Sequence, residues 1–184
     1  MGVVNVLRNN MRYIVYIFFL LFSVCAFAQT EVFFSPSKKC ENGLIGLIEN
    51  SNETIDVAVY SINNTNLIEA LKKAHKRGVK IRILTDRIQA AGKSSKVKEL
   101  YDTGLNVRVH SKHKIEHNKF AIFDGKKAST GSYNWTNPAT EKNSENCVFF
   151  TDNQEVVEDY KNRFEYLWQI NTKKSSDEWF NKRK

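Results

Sequence analysis

The chain has 184 residues, of which 41% are hydrophobic and 26% are charged. This is the composition of an ordinary globular protein without low-complexity segments, and at this length a single domain is the default. Lysine and arginine outnumber aspartate and glutamate by 28 to 20, a formal net charge of +8, which favours a polyanionic partner such as nucleic acid, an anionic membrane surface or a cell-wall polymer.

The first 28 residues have the layout of a secretory signal peptide. Arg8 and Arg12 form a basic start, residues 14–24 are apolar except for Ser23, and Ala26-Phe27-Ala28 has the small residues of a cleavage site. The apolar run is shorter than the roughly 20 residues of a membrane-spanning helix. We therefore expect a secreted or periplasmic protein, and an uncleaved N-terminal membrane anchor is the alternative.

Strand and helix patterns alternate after this leader. Strands are predicted at residues 54–62, 79–85, 106–110, 120–123 and 146–150, and helices at 40–50, 66–77, 93–102 and 153–170. This alternation predicts an α/β fold with a mixed, mostly parallel β-sheet flanked by helices. One domain would then span residues 29–170, followed by a polar C-terminal tail at 171–184.

Two cysteines, Cys40 and Cys147, would remain after removal of the leader. An even pair in an exported protein can form a disulfide. Two buried free thiols are an equally good interpretation of the sequence.

The most informative stretch runs from His117 to Asn134. His117 and Lys119 are two residues apart, a short apolar strand follows, Asp124 lies at a turn, and Ser132 and Asn134 are again two residues apart after a return strand. On a strand, positions two apart share a face, so the hairpin would bring both polar pairs to one end of a sheet. An imidazole, a cation and two neutral hydrogen-bonding groups suit a phosphoryl group, because phosphoryl transfer depends mainly on positioning and charge stabilisation.

The same residues resemble a known family. His117-x-Lys119, Asp124 and Gly131-Ser132-x-Asn134 have all the spacings of the HKD motif of the phospholipase D superfamily, over 18 residues. A chain of this size with one motif and a leader is similar to the small bacterial endonucleases of the Nuc type and to the mitochondrial cardiolipin hydrolases. The resemblance covers roughly residues 32–168 and implies a phospholipase D-like fold.

This resemblance implies a role for each site residue. His117 would be the nucleophile that forms a phosphohistidine intermediate, and Lys119 and Asn134 would hold the non-bridging phosphate oxygens. Ser132 would support the phosphate by a hydrogen bond, and Glu145 would orient the His117 ring.

The resemblance also bears on Asp124, on cofactors and on assembly. Asp124 belongs to the motif and is counted with the catalytic residues, although its place at the turn suggests that it mainly holds the hairpin. The chemistry needs a second histidine to protonate the leaving oxygen, so a homodimer is implied in which two copies of His117 share one site. No metal and no other cofactor is implied, because the Lys119 side chains supply the positive charge.

Residues around the motif are candidates for substrate contacts. Lys112 and Lys114, and also Lys126-Lys127, could follow a phosphate backbone. Tyr133 could stack on a nucleotide base or pack against the sheet.

Three histidines in this region have the spacing H-x2-H-x3-H, namely His110, His113 and His117. Such a set could suggest zinc, but the neighbouring lysines disfavour a divalent cation. We expect His110 and His113 to be solvated loop residues or contacts at the mouth of a cleft.

The sequence thus predicts a hydrolase of the phosphodiesterase class, a secreted, non-specific and metal-independent endonuclease that acts on DNA or RNA. The alternatives are a phospholipase D acting on the head groups of cardiolipin or phosphatidylcholine, and an inactive binding module.

Overall fold

The structure is a computed structural model that describes residues 30–183, so the predicted leader lies outside the described residues. The strands are β1 (Thr30–Ser35), β2 (Thr54–Val59), β3 (Lys80–Asp86), β4 (Asn106–His110), β5 (Lys119–Phe123), β6 (Lys127–Gly131) and β7 (Glu145–Phe150). The helices are α1 (Lys39–Glu49), α2 (Thr65–Lys76), α3 (Arg87–Ala90), α4 (Val97–Asp102), α5 (Asn137–Glu141), α6 (Gln154–Ile170) and α7 (Lys173–Asn181).

The seven strands form one sheet in the order β1-β7-β6-β5-β2-β3-β4. The α/β class with a mixed sheet and flanking helices is confirmed. Five strands point in one direction, but only β2–β3 and β3–β4 are parallel neighbours, and the other four pairs are antiparallel. The sheet is less parallel than expected. The β5–β6 pair is antiparallel because a tight turn joins the two strands and cannot make the long crossover that a parallel pair needs.

Helices cover both faces of the sheet, so the central strands are apolar on both sides. In β2, Ile55, Val57 and Val59 belong to the larger core under α1, α2, α4 and α7. Ala58 points to the smaller core under α6, which also contains Phe120 of β5. This two-sided burial explains the nearly continuous apolar sequences of β2 and β5.

The C-terminal segment corrects the prediction of a polar tail at 171–184. Residues Lys173–Asn181 form α7, which packs beside β4. Phe180 is 1% exposed and stacks on Tyr101 with the ring centroids 4.0 Å apart. One buried aromatic ring among charged neighbours does not produce a recognisable apolar face, so the sequence does not predict that this helix packs beside β4.

The N-terminal end of the described chain is also part of the sheet. Strand β1, which was not predicted, pairs with β7 along its full length. The structure joins Cys40 of α1 to Cys147 of β7 by a disulfide with the Cα atoms 5.9 Å apart, which selects the disulfide over two free thiols. No helix within residues 30–183 is long and apolar enough to span a bilayer.

Candidate active site

The candidate site lies at the end of the sheet where β2, β3, β4 and β6 finish and where β5 and β7 begin. His117 lies two residues before β5, Ser132 and Asn134 lie one and three residues after β6, and Glu145 begins β7. Ligands of open α/β sheets commonly bind outside the carboxyl ends of strands. The hairpin therefore brings the two polar pairs to the same end of the sheet, as the sequence predicts.

Lys119 and His117 occupy different environments although they are two residues apart. Lys119 is the first residue of β5 and is 9% exposed, whereas His117 lies outside the strand and is exposed. The Nζ atom of Lys119 donates to the carbonyl oxygen of His117 at 2.6 Å. The expectation that both side chains lie on one strand is therefore wrong, because the chain enters β5 only at Lys119, after His117.

Burial lowers the pKa of Lys119, and the carboxylates of Glu145 and Glu116 oppose that shift. The ammonium group is thus a partly desolvated cation that interacts electrostatically with two acidic groups. A cation with less solvent screening interacts more strongly with an anion than an exposed lysine does. This position suits the binding of a phosphate oxygen.

The loop after β6 is shaped by a close contact with β7. Gly131 has a φ of 145°, and a Cβ atom there would lie within 2.3 Å of the carbonyl oxygen of Asn146, which no side chain could tolerate. The same carbonyl accepts the backbone N–H groups of Ser132 and Tyr133, each at 3.1 Å. The backbone N–H of Trp135 then donates to the carbonyl oxygen of Ser61 at 3.2 Å, which ties the loop to the segment after β2.

Asn134 is held in this loop with an unused acceptor. Its Oδ1 atom is buried and has no hydrogen-bond partner among residues 30–183. Buried polar atoms are almost always paired in native proteins, so an unpaired one in a candidate site is available to a ligand or an additional group.

The partner of Glu145 differs from the expected one. In the part of the chain that the structure describes, its carboxylate accepts the hydroxyl of Ser132 at 2.6 Å and the side-chain amide of Asn143 at 3.0 Å. The prediction that Glu145 orients the His117 ring has no support from these contacts. Glu145 instead fixes the direction of the Ser132 hydroxyl, because β7 begins beside the end of β6.

Asp124 is the one motif residue that the structure does not bring to the site. It follows the far end of β5, roughly 15 Å from Lys119 by the rise of a five-residue strand. Its carboxylate accepts the backbone N–H groups of Asn52, Glu53 and Thr54 at 2.8–3.3 Å, and its φ of 52° places it in the left-handed region. Asp124 therefore holds the hairpin to the start of β2, as its place at the turn suggests, and these contacts give no support to its place in the catalytic set.

Burial by itself would raise the pKa of Asp124. The three backbone N–H groups and the charge of Lys126 together lower the pKa by more. The net pKa of this carboxyl lies below its ordinary value. Lys126 and Lys127 lie at this same far turn and so are remote from the candidate site. Lys112 and Lys114 differ from them, because both are exposed on the loop that leads to His117.

Tyr133 is a core residue, which corrects its assignment as a substrate contact. Its ring is 3% exposed, and its hydroxyl lies 2.5 Å from Oγ1 of Thr140, which in turn donates to the buried carboxylate of Glu41 at 3.1 Å. Burial raises the pKa of Tyr133 to about 12. Trp135 is also buried, at 2% exposure, so neither ring provides a surface for base stacking.

His110 is buried rather than solvated. Its Nε2 atom accepts the backbone N–H of His113 at 2.8 Å and lies 2.9 Å from Nδ1 of His113, and the two rings stack. Burial lowers the pKa of His110. Within residues 30–183, no three His, Cys, Asp or Glu side chains are grouped so that they could hold a metal ion.

Two further residues, Tyr60 and Glu116, belong to the site although the sequence does not indicate them. The Tyr60 ring, at the end of β2, lies 4.6 Å from the His117 ring, centroid to centroid, and 5.0 Å from Nζ of Lys119. Glu116 is 2% exposed and accepts both the backbone and side-chain N–H groups of Asn118. Tyr60 continues an apolar strand and Glu116 lies in a charged loop, so neither has a local sequence signal.

Comparisons with known proteins agree with this geometry. A family model described as "Cardiolipin synthase, PLD-like domain" matches residues 44–168. The chain is 35% identical over 126 residues to a mitochondrial cardiolipin hydrolase of Xenopus tropicalis, and 37% identical over 133 residues to a phospholipase D of Rickettsia conorii. These matches cover 68% and 72% of this chain, but only 60% and 66% of those two proteins.

A solved structure matches over nearly its whole length. Nuc from Salmonella typhimurium, a phospholipase D family member, superimposes with a TM-score of 0.75 at 27% identity. The match covers 79% of this chain and 97% of that one.

Proposed function

The chain belongs to the phospholipase D superfamily, and we propose that it is a secreted or periplasmic endonuclease that cleaves phosphodiester bonds without a metal ion. The observation that carries this proposal is the convergence of His117, Lys119, Ser132 and Asn134 at one end of the sheet. His117 provides a nucleophile, Lys119 a partly desolvated cation and Asn134 a polar group for the oxygens of a phosphate, while Ser132 is held by Glu145 beside them.

In the proposed reaction, a ring nitrogen of His117 attacks phosphorus, and the bond from phosphorus to the leaving oxygen breaks. Nζ of Lys119 and the side-chain amide N–H of Asn134 donate to the non-bridging oxygens. An acid protonates the leaving oxygen, and its conjugate base then takes a proton from the water that hydrolyses the phosphohistidine. One histidine therefore acts as nucleophile and a second one as acid and base.

We propose that the second histidine is His117 of another copy of the chain. The other histidines of the described residues are poorly placed for this role. His110 and His113 bond to each other, and His75 lines a groove with Val79 and Lys80 at the opposite end of the sheet. A two-fold axis through the candidate site would bring the two exposed His117 rings together, as an isologous interface requires.

Nucleic acid is the substrate that we favour. Without Arg8 and Arg12 the chain keeps 26 lysines and arginines against 20 acidic residues. Lys112 and Lys114 are exposed beside His117, where they can contact flanking phosphates. The likeness to Nuc over 97% of that chain also supports the Nuc-type branch.

A phospholipase is the second candidate. It is favoured by the names of the sequence relatives, which are a cardiolipin hydrolase and a phospholipase D. A lipid substrate uses the same phosphodiester chemistry, so the catalytic residues do not discriminate between the two candidates.

The test compares the purified protein with its His117→Ala variant on plasmid DNA, on RNA, and on vesicles of cardiolipin or phosphatidylcholine, with and without a chelator. We expect cleavage of nucleic acid by the wild type only, unchanged by the chelator. Hydrolysis of vesicles alone would establish the second candidate. Full activity of the His117→Ala variant would contradict the mechanism. Loss of wild-type activity in the presence of the chelator would contradict it as well.

Secretion is tested separately, by the mass of the mature N-terminus and by fractionation of expressing cells. We expect the mature chain to begin at Gln29. A retained leader in the membrane fraction would support the anchored form.

A further inference from the structure

The ring of Tyr60 contacts both His117 and Lys119 of the HKD motif. Its ring centroid is 4.6 Å from that of His117, with the ring planes tilted by 59°, and 5.0 Å from Nζ of Lys119. Tilted aromatic contacts at this distance and a cation near a ring face are both attractive. One side chain therefore contacts the nucleophile and the cation of the proposed reaction together.

The position of Tyr60 is itself well determined. Its backbone N–H donates to the carbonyl oxygen of Asn118 at 2.9 Å, and its carbonyl oxygen accepts the hydroxyl of Thr85 at 3.3 Å. Its hydroxyl oxygen accepts the side-chain amide of Gln89 at 2.9 Å. Tyr60 is thus bonded at both ends, by the backbone beside β5 and by a side chain of α3.

The His117 ring has no comparable constraint of its own. It is exposed, its segment lies outside the sheet, and within residues 30–183 no hydrogen bond holds its ring nitrogens. The carboxylate expected to orient it, that of Glu145, is bonded to Ser132 and Asn143. The Tyr60 ring is therefore the described contact that limits the orientation of the nucleophile.

We propose that Tyr60, held by Gln89, is a positioning residue that sets the orientation of the His117 ring and the location of the Lys119 ammonium group. The expected effect on the reaction rate rests on the proposed function. The effect of Tyr60 on the orientation of the His117 ring does not. Correct orientation of a nucleophile raises the rate of the chemical step more than it raises substrate affinity.

The first experiment measures structure rather than activity. Side-chain ¹H–¹³C NMR spectra would be recorded for the wild type, Tyr60→Leu and Tyr101→Leu, in a chain with only four histidines. Loss of the Tyr60 ring current should move the His117 ring signals and leave those of His75 in place. Tyr101→Leu is the matched control, because Tyr101 is also half-buried, contacts one aromatic ring and bonds one side chain, but near the start of β4.

The second experiment measures kcat and KM on a small phosphodiester, bis(p-nitrophenyl) phosphate, with folding checked by thermal unfolding. We expect Tyr60→Leu to lower kcat about tenfold with KM little changed, since a ring contact and a cation–π contact together are worth about that factor. Tyr60→Phe keeps the ring but loses the hydrogen bond from Gln89, so its loss of kcat should be measurable and much smaller than that of Tyr60→Leu. Gln89→Leu should match Tyr60→Phe, because both variants remove the same hydrogen bond.

The outcomes separate this inference from the proposed function. A wild type that cleaves no phosphodiester refutes the function, whereas the NMR result still tests the contact. An active wild type with unchanged kcat in Tyr60→Leu, or with unmoved His117 signals, overturns the positioning role. A loss of kcat in Tyr60→Phe as large as that in Tyr60→Leu overturns the role of the ring. A tenfold loss of kcat in the control Tyr101→Leu would show that destabilisation alone lowers the rate, and would also overturn it.

Discussion

The hydroxyl of Ser132 donates to Oε2 of Glu145 at 2.6 Å, and the same hydroxyl oxygen accepts the backbone N–H of Asn146 at 3.0 Å. These two bonds leave the serine little rotational freedom. A charge-assisted hydrogen bond of this kind is stronger than a neutral one. Ser132 and Glu145 therefore form one unit at the rim of the candidate site.

If they act as a unit, their substitutions should not be additive. We expect Ser132→Ala and Glu145→Gln each to lower kcat/KM by about tenfold, roughly the value of one charge-assisted hydrogen bond. The double variant should be little worse than the poorer single variant. Losses that multiply to about a hundredfold would show that the two residues act independently.

A shared site predicts a dominant-negative effect of His117→Ala. When equal amounts of wild-type and variant chains assemble at random, only about a quarter of the dimers carry two intact histidines. Activity should then be about a quarter of that of an all-wild-type sample at the same total concentration. An activity of one half would indicate that each chain works alone.

The mixing experiment has a direct control in His75→Ala, because His75 lies at the opposite end of the sheet. Mixtures with this variant should keep full activity. The two variants are made and mixed in the same way, so a difference between them reports on the site rather than on assembly.

The placement of the lysines predicts which of them bind a phosphate backbone. The double substitution of Lys112 and Lys114 by alanine should weaken nucleic-acid binding. It should also reduce the slope of log affinity against log salt by about 0.9 for each phosphate that is no longer neutralised. The same double substitution at Lys126 and Lys127 removes equal charge from the far turn and should leave the slope nearly unchanged. Equal effects of both pairs would indicate only a dependence on net charge.

Asp124 should matter for stability and not for catalysis. Asp124→Asn tolerates the same backbone conformation but loses the charge that three N–H groups stabilise, so we expect a loss of about 1–2 kcal/mol in the free energy of unfolding at pH 7. kcat should stay close to that of the wild type. A large loss of activity in a folded variant would restore Asp124 to the catalytic set.

The contribution of Asp124 should also depend on pH. The pKa of this carboxyl is lower in the folded state than its ordinary value. Its stabilisation is therefore complete above the unfolded pKa of about 3.9 and is lost as the pH falls through the lower folded pKa. Urea unfolding from pH 7 to pH 2.5 should show the gap between wild type and Asp124→Asn closing. Asp102→Asn, at an exposed surface pair with Lys98, is the control and should change stability by less than about 1 kcal/mol.

The sequence predicts contacts between residues that are close along the chain better than contacts between distant segments. His117 and Asn134 lie at the same end of the sheet because β5, a tight turn and β6 form a local hairpin, whose two outer ends are neighbours. The helices with clear apolar periodicity, such as α2 and α6, were also predicted close to their actual bounds. Local periodicity contains this information because neighbours in sequence are neighbours in these elements.

The sequence by itself determined the α/β class, the central hairpin and the set of chemical groups at the site. Only the tertiary structure decided that Glu145 bonds Ser132, that Tyr60 lies against His117, that Asp124 accepts the N–H groups at the start of β2, and that α7 packs beside β4. These contacts depend on which strands become neighbours in the sheet and on how loops from distant segments meet at its edge. Strand order and loop packing follow from burial over the whole domain, and no local spacing encodes them.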